Sequence, residues 1–260
     1  MRNIELKIID VLKELKEKYA VIGIKAEFEA EGTRTEELIR LKEFCLRADL
    51  ALTLKIGGCE AVRDMFDARV VGVDHLVAPM VETPYALKKY NKAIEIAFPE
   101  DLHDDVEFLI NTETIDTVNN IDDILDYGEK TNLDGIVIGR SDLSGSLGIS
   151  TKNINGDEIF NITSKLLLKA KQRNMTCVVG GNITADTIPF LKELPDDSLD
   201  RFETRKVCFQ NKEALESNPA KGINRALCFE LLWLEFKHKY YSIISNEDNK
   251  RIQDLRSRIS

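Results

Sequence analysis

The chain has 260 residues, enough for one large α/β domain or two small ones, and its 43% hydrophobic and 31% charged content excludes a disordered chain. The net charge of −9 argues against nucleic acid or an anionic membrane as the main partner. No apolar run approaches the length of a membrane span, so we expect no membrane partner.

Cysteine and histidine usage narrows the class of protein further. Five cysteines are scattered without a Cys-x-x-Cys pair, which favours reduced thiols over a disulfide framework or a zinc site. The N-terminal segment carries charges throughout and lacks the apolar core of a signal peptide, so we expect a cytoplasmic protein. The presence of only three histidines weakens an interpretation as a zinc hydrolase or a Ser-His-Asp enzyme.

In chain order, the sequence predicts a helix, then alternating strands and helices, then a long helical tail. The first helix covers 3–19 and the tail covers 220–258; the predicted strands cover 20–28, 50–57, 70–80, 93–99, 106–114, 135–139, 176–184 and 202–209. Eight strands alternating with helices predict a (β/α)8 TIM barrel, a single α/β domain over residues 1–260 with an N-terminal helix and a C-terminal helical extension. A doubly wound open sheet is the alternative, but the Gly-x-Gly-x-x-Gly loop that usually marks it does not occur.

The stretch LDGIVIGRSDLSGSLG, from Leu133 to Gly148, combines a short buried strand with a polar turn. Such strand ends are where α/β enzymes place their chemistry. Gly139 lets the backbone approach a ligand closely, and successive N–H groups of the turn can face an anion. Asp142 follows at a position where a carboxylate could hold a metal. The alternative is a strand end whose aspartate caps the next helix.

Charged and polar side chains cluster at the carboxyl ends of the predicted strands. The set comprises Lys25, Glu27, Glu29, Glu31, Lys55, Asn111, Glu113, Arg140, Asp142, Asn182, Glu203, Arg205 and Lys206. A barrel core is normally filled by branched apolar side chains, so these charges need partners, a metal or a bound ligand. The alternative is a structural ion-pair network at the barrel mouth.

Two carboxylates, Glu113 and Asp142, lie at the ends of adjacent predicted strands and are expected to point into the same mouth. A pair of oxygen ligands with open positions suits Mg²⁺ or Mn²⁺, with water or substrate oxygens completing an octahedron. Zinc is disfavoured because cysteine and histidine are absent from this set.

Four motifs carry a resemblance to a known family: LKIGG (54–58), VAPMVET (77–83), INTET…NNIDDIL (110–125) and DGIVIGRSDLSGSLG (134–148). On these motifs the chain resembles the HpcH/HpaI aldolase and citrate lyase β-subunit family, within the phosphoenolpyruvate/pyruvate-binding barrels. The resemblance implies a (β/α)8 barrel that binds a divalent metal and the enolate of pyruvate or a related acid. It also implies oligomerisation through the C-terminal helices, so we expect residues 220–260 to take part in homo-oligomer contacts.

The family's site residues map onto five positions of this sequence. Its two metal ligands match Glu113 and Asp142, and the backbone N–H groups that bind the ketoacid carboxylate match Gly139, Ser141 and Asp142. A basic residue that contacts the ketoacid oxygen, an arginine in many members, matches Lys55. Lysine supplies a point charge there and not a bidentate fork.

The sequence departs from the family pattern in two places. Pyruvate aldolases of the family use a histidine after the first strand as the acid/base, but FEAEGTR here contains none, so Glu29, Glu31 or a metal-bound water would take that role. Arg140 stands where the family usually has proline, and Arg34, Arg140 or Arg205 could hold the anionic part of an acceptor.

The resemblance predicts a lyase that reversibly cleaves an aldol of a 2-oxo acid and an aldehyde, with metal-assisted stabilisation of the enolate. Three alternatives stay open. Lys55 could instead form a Schiff base with the keto group. The protein could be a citrate lyase-like acyl-CoA lyase or thioesterase, or a barrel subunit that has lost catalysis.

Overall fold

Eight short strands close into a barrel in the computed structural model, which describes residues 2–259. They are β1 (Val21–Glu27), β2 (Ala51–Lys55), β3 (His75–Ala78), β4 (Glu107–Thr112), β5 (Gly135–Gly139), β6 (Thr176–Gly180), β7 (Arg201–Glu203) and β8 (Val207–Gln210). From β1 to β7, strands that follow each other along the chain pair in parallel, as helical crossovers require. The predicted α/β barrel is therefore confirmed.

Helices form the outer layer. They are α1 (Arg2–Tyr19), α2 (Thr35–Ala48), α3 (Val62–Val71), α4 (Pro84–Ala97), α5 (Ile115–Gly128), α6 (Arg140–Ser146), α7 (Asp157–Lys171), α8 (Ile188–Glu193), α9 (Asn211–Glu216) and α10 (Pro219–Ile259), with short 3₁₀ turns at Glu100–Asp105, Thr151–Asn153 and Ala185–Thr187. The predicted N-terminal helix and long C-terminal helix are both present. No helix within residues 2–259 combines the length and apolarity needed to cross a membrane.

Two of the strand predictions are wrong, although the total of eight is right. Residues 93–99 lie mostly in α4, where Tyr90, Ile94 and Ala97 are buried at helical spacing. Residues 202–209 form a hairpin and not one strand, because the polar Thr204–Lys206 segment is a turn, closed by Thr204 N–H donating to Val207 O at 2.9 Å. Consequently β8 runs antiparallel to both β7 and β1 and closes the barrel.

Strand alternation divides the core into two layers. Ile24, Ala26, Leu52 and Leu54 are fully buried in the apolar cluster that includes the helices. A separate apolar cluster of Val77, Leu109, Val137 and Val178 comes from β3, β4, β5 and β6. Buried charges come from β1, β2 and β7: Lys25, Glu27, Lys55, Arg201 and Glu203. The barrel interior therefore combines a small apolar cluster with ionic groups.

His75 on β3 belongs to the ionic part. Its Nδ1 lies 2.9 Å from Thr53 Oγ1 and its Nε2 lies 3.2 Å from Arg201 Nη1, while Arg201 also pairs with Glu107. Because a guanidinium only donates, Nε2 is the acceptor and Nδ1 carries the proton. Burial and the charge of Arg201 lower the pKa of His75, with Glu107 opposing the shift. The folded protein therefore holds this imidazole neutral.

This histidine predicts acid sensitivity of the fold. An unfolded histidine takes up its proton near pH 6.5, so as the pH falls through that value the unfolded state binds more protons and the free energy of unfolding decreases. Urea unfolding at about pH 7.5 and about pH 5.5 should show this decrease in the wild type and a smaller one in His75→Gln. Equal decreases in both proteins would show that His75 is not the responsible group.

Candidate functional site

A cavity of about 480 Å³ opens at the carboxyl end of the barrel. Its walls come from the ends of β1, β2 and β4–β7, and from two residues of α10, Leu227 and Glu230. The charged and amide side chains that line it are Lys25, Glu27, Glu29, Lys55, Asn111, Glu113, Asp142, Asn182, Glu203, Arg205 and Glu230. Many of the side chains predicted from the strand ends therefore face one cavity.

Glu113 is the buried acidic group of this cavity. It follows β4 directly and precedes Thr114, whose side chain caps α5 by accepting from Thr117 N–H. Met80 N–H donates to Glu113 Oε1 at 3.2 Å, and the Asn111 amide donates to Oε2. Glu113 is fully buried, so its carboxylate is fixed in position.

The surroundings of the Glu113 carboxylate favour a positive charge beside it. Burial, together with the negative charge of Asp142, raises the pKa of the Glu113 carboxyl group, although Lys55 and the Asn111 hydrogen bond oppose the shift. Asp142, in the first turn of α6, is exposed and lines the same cavity. A cation near both carboxylates would lower the cost of keeping them ionised.

Two carboxylates fit a hard divalent cation of the Mg²⁺ type, which typically binds one or two protein carboxylates and takes its other ligands from water or substrate. Within residues 2–259 there is no group of three or more His, Cys, Asp and Glu side chains that could hold a metal. A metal at Glu113 and Asp142 would therefore depend on water and substrate oxygens for the rest of its coordination.

Lys55, the last residue of β2, is the cation next to Glu113. Its Nζ lies 3.5 Å from Glu113 Oε2 and 3.4 Å from Glu29 Oε2, and its side chain is 7% exposed. Glu29 itself is more accessible, with its side chain 34% exposed. The predicted basic residue and one predicted acid/base candidate are thus brought together.

Glu31, the other acid/base candidate, has a different environment. Its carboxylate is held by Lys206 and by Arg205 Nε at 3.0 Å, and its side chain is 10% exposed. Two cations contact this one carboxylate, which makes Glu31 a structural group. Between the two glutamates, Glu29 is the better placed for proton transfer.

Only one of the three predicted anion-binding arginines, Arg205, lines the cavity. Arg140 is fully buried; its guanidinium donates to Gly180 O at 3.1 Å, to Gly181 O at 2.7 Å and to Asn155 Oδ1 at 2.8 Å, and lies over the Phe190 ring. Burial lowers the pKa of Arg140 to about 10, which leaves it charged at neutral pH. Arg140 therefore fixes the segment after β6 instead of facing the cavity.

Arg34 lies outside the cavity as well. It precedes α2, pairs with Glu37 at 3.2 Å and stacks 4.4 Å from the Tyr241 ring of α10. This contact ties the β1–α2 loop to the C-terminal helix.

The predicted backbone site at the start of α6 is closely packed. Gly139 and Ser141 line the cavity together with Asp142. Gly181, with φ of +82°, approaches so closely that a Cβ there would lie 2.5 Å from Ser141 N. Only glycine permits this approach, which brings the loop after β6 against the turn after β5.

Sequence reasoning did not assign a functional role to several residues that line the cavity. Lys25 and Glu27 alternate on β1 in a way that predicts one shared face, and this was the available signal. Glu203 was expected among the charges at the strand ends, but the assignment of 202–209 to one strand did not indicate that it ends β7. Leu227 and Glu230 reach the cavity only because α10 packs across the barrel, and no local pattern indicates that.

This geometry defines the class of protein. It is an α/β barrel with carboxylates and lysines around the cavity at the carboxyl ends of its strands. The family profile of HpcH/HpaI aldolase/citrate lyase matches residues 57–186. The chain belongs to this family, and the membership indicates an aldolase or citrate lyase-type activity. A search of curated proteins finds no match.

Solved structures share the fold at low sequence identity. Citrate synthase SbnG is 17% identical with a TM-score of 0.61, covering 89% of this chain and 90% of that chain. An HpcH/HpaI aldolase from Desulfitobacterium hafniense DCB-2 is 15% identical with a TM-score of 0.61, covering 84% and 86%. An HpcH/HpaI aldolase/citrate lyase family protein from Burkholderia cenocepacia J2315 is 14% identical with a TM-score of 0.55, covering 71% and 89%.

Proposed function

We propose that this protein is a divalent-metal-dependent carbon–carbon lyase that cleaves or forms an aldol of a 2-oxo acid and an aldehyde. The observation that carries the proposal is the fully buried Glu113 carboxylate, which lines the same cavity as Asp142 and lies 3.5 Å from Lys55. Family membership supports the same class of reaction. Cytoplasmic location and homo-oligomerisation through α10 are further parts of the proposal.

Glu113 and Asp142 would hold Mg²⁺ or Mn²⁺. Such a cation supplies Lewis-acid stabilisation of the negative charge that develops on the keto oxygen of the 2-oxo acid. The family resemblance assigns the ketoacid carboxylate to the turn at Gly139, Ser141 and Asp142, which lines the cavity beside Glu113.

The chain's own side chains account for the movement of protons and charge. In the cleavage direction Glu29 accepts the proton of the aldol hydroxyl, the carbon–carbon bond breaks, and its electron pair passes to the 2-oxo acid as the enolate. Lys55 lies close enough to Glu29 and Glu113 to place its positive charge at the developing enolate oxygen. A proton returned to the methylene carbon then gives the 2-oxo acid, and Arg205 at the rim binds an anionic group of the acceptor.

Calorimetric titration with Mn²⁺, with and without pyruvate, tests this proposal. We expect wild-type protein to bind one metal ion and to bind it more tightly when pyruvate is present. Asp142→Asn, which keeps the side-chain size and removes one ligand charge, should weaken metal binding at least tenfold. Absence of metal binding in the wild type would overturn the proposal in favour of a non-catalytic barrel. Metal-dependent inhibition by coenzyme A would favour the acyl-CoA lyase or thioesterase alternative.

A further inference from the structure

The inner end of the cavity contains an ionic cluster that the proposed mechanism does not use. Lys25 lies between two carboxylates: its Nζ contacts Glu203 directly and is 3.2 Å from Glu27 Oε1. These three residues are 7%, 4% and 9% exposed, respectively, and all line the cavity. We refer to Lys25, Glu27, Glu203 and Asn111, which lines the same cavity, as the polar floor.

The ionisation states of the floor follow from its contacts. Burial by itself lowers the pKa of Lys25, but Glu203 and Glu27 outweigh burial and raise the pKa. Burial by itself raises the pKa of Glu27, and Lys25 outweighs it and lowers the pKa. Lys25 is therefore held positive and Glu27 negative, and the Glu203 carboxylate contacts Lys25 directly. An ammonium group has three protons, and the two glutamates account for two, which leaves one for a ligand oxygen.

Asn111 adds an acceptor whose orientation is determined. Its amide nitrogen donates to the Glu113 carboxylate, which only accepts, so the amide cannot be rotated the other way. Its Oδ1 is buried and has no hydrogen-bond partner among the described side chains and backbone. A buried acceptor without a partner is unfavourable, so a donor from a ligand or water is favoured there.

Two further residues bound the cavity beside the floor. Gly180 packs closely against Glu203, because a Cβ there would lie 3.1 Å from Glu203 Cγ and Oε1. Val137, from the apolar cluster inside the barrel, also lines the cavity. A ligand that reaches the floor therefore meets hydrogen-bonding groups and a hydrocarbon side chain.

We propose that the polar floor binds the hydroxyl groups of the aldehyde half of the substrate, so the acceptor is a polyhydroxylated aldehyde. A hydroxyl group can donate to Glu203, Glu27 or Asn111 Oδ1 and accept from Lys25. A carboxylate would face two glutamates for one lysine, and an ammonium group has no acceptor for the remaining proton of Lys25. The assignment of the hydroxylated ligand to the aldehyde half rests on the proposed lyase function; the binding preference of the floor does not.

Saturation-transfer difference NMR with two unreactive probes tests the floor directly. Threitol carries four hydroxyl groups on four carbons, and 1,4-butanediol lacks the two inner ones. We expect wild-type protein to bind threitol at least tenfold more tightly than 1,4-butanediol. Equal binding of threitol and 1,4-butanediol, or no binding of threitol, would overturn the proposal.

A pair of double variants locates the binding. Lys25→Met with Glu203→Leu removes the charged pair at similar volume, a change that buried ion pairs often tolerate. It should abolish the preference for threitol. Arg201→Met with Glu107→Leu removes a second ion pair of the same barrel whose residues are not among those lining the cavity, and it should keep the preference. If the variant with Lys25→Met and Glu203→Leu still prefers threitol, the proposal is overturned. If that variant does not fold, the comparison of threitol with 1,4-butanediol in the wild type decides.

The lyase function is tested separately, by exchange of pyruvate methyl protons for deuterium in the wild type. Threitol selectivity without exchange would retain the floor and reject the lyase. Exchange without threitol selectivity would reject the floor and retain the lyase.

Discussion

Replacing Glu113 with glutamine is expected to lower kcat/KM for aldol cleavage by at least about 10³-fold, which corresponds to about 4 kcal/mol of transition-state stabilisation. Glutamine keeps the size of the side chain and one oxygen acceptor for Met80 N–H and removes the negative charge. The loss should arise because the charge that attracts a cation to the cavity disappears, while the fold is retained. Steady-state kinetics with pyruvate and an aldehyde, followed in both directions, measure the effect.

The matched control is Glu129→Gln, which removes a carboxylate from an exposed position at the end of α5. Its activity should equal that of the wild type. The melting temperature of Glu113→Gln should change by no more than a few degrees, since neutralising a buried carboxylate whose pKa is already raised removes a desolvation cost as well as favourable contacts. Wild-type turnover in Glu113→Gln would reject the assignment of this residue to the site.

Gly139→Ala is expected to lower kcat/KM by about 10²-fold or more without removing any ionisable group. An added Cβ at Gly139 would lie 2.6 Å from Glu113 Oε2 and 3.0 Å from Glu113 Cβ, so the carboxylate has to move. Displacing a catalytic group by about 1 Å can cost a factor of this size. Gly139→Ala therefore tests the position of the Glu113 carboxylate, whereas Glu113→Gln tests its charge.

Gly58→Ala is the control, because a Cβ at Gly58 meets no atom within 4 Å. It should have wild-type activity and metal affinity. Metal titration distinguishes the causes in Gly139→Ala: displaced Glu113 should weaken Mn²⁺ binding in parallel with activity. If Gly139→Ala binds metal and turns over substrate like the wild type, Glu113 does not depend on the close packing described above.

The location of the site was predictable because parallel strands end at one edge of a barrel. Glu113, Asp142 and Lys55 each follow or end a strand recognisable from its apolar run, so their approach to a common cavity follows from the fold. The resemblance of four motifs to one family predicted the fold and an aldolase or citrate lyase-type activity, and the profile match agrees with it. This part of the site follows from where the strands end and from the order in which they pair, and not from side-chain detail.

The direction of long side chains was not predictable. Arg140 stands at a strand end, as a substrate-binding residue would, but its guanidinium meets two backbone carbonyls and the Phe190 ring behind the cavity. Arg34 likewise turns to Glu37 and Tyr241. Tyr241 and Phe190 lie far along the chain from the arginines that contact them. A sequence pattern does not indicate which of several nearby acceptors a flexible arginine contacts.

The two wrong strand assignments have local causes. AIEIAFP at 93–99 has the alternation of a strand, but Ile94 and Ala97 also continue the helical spacing of α4, and the helix prevails because that face is buried. The segment 202–209 has strand-forming residues at both ends, but its polar centre is a turn. A single strand over this segment does not predict that Glu203 contacts Lys25 in the polar floor.

The exchange of pyruvate methyl protons for deuterium is the measurement that tests the central claim most directly, because it needs no knowledge of the aldehyde. The account predicts exchange in wild-type protein supplied with Mg²⁺ or Mn²⁺, loss of exchange on chelation, and no exchange in Glu113→Gln under the same conditions. Exchange that survives both chelation and the Glu113 substitution would contradict the claim that this carboxylate and a divalent cation promote enolate formation. A wild-type protein that shows no exchange with Mg²⁺ and none with Mn²⁺ would contradict it as well.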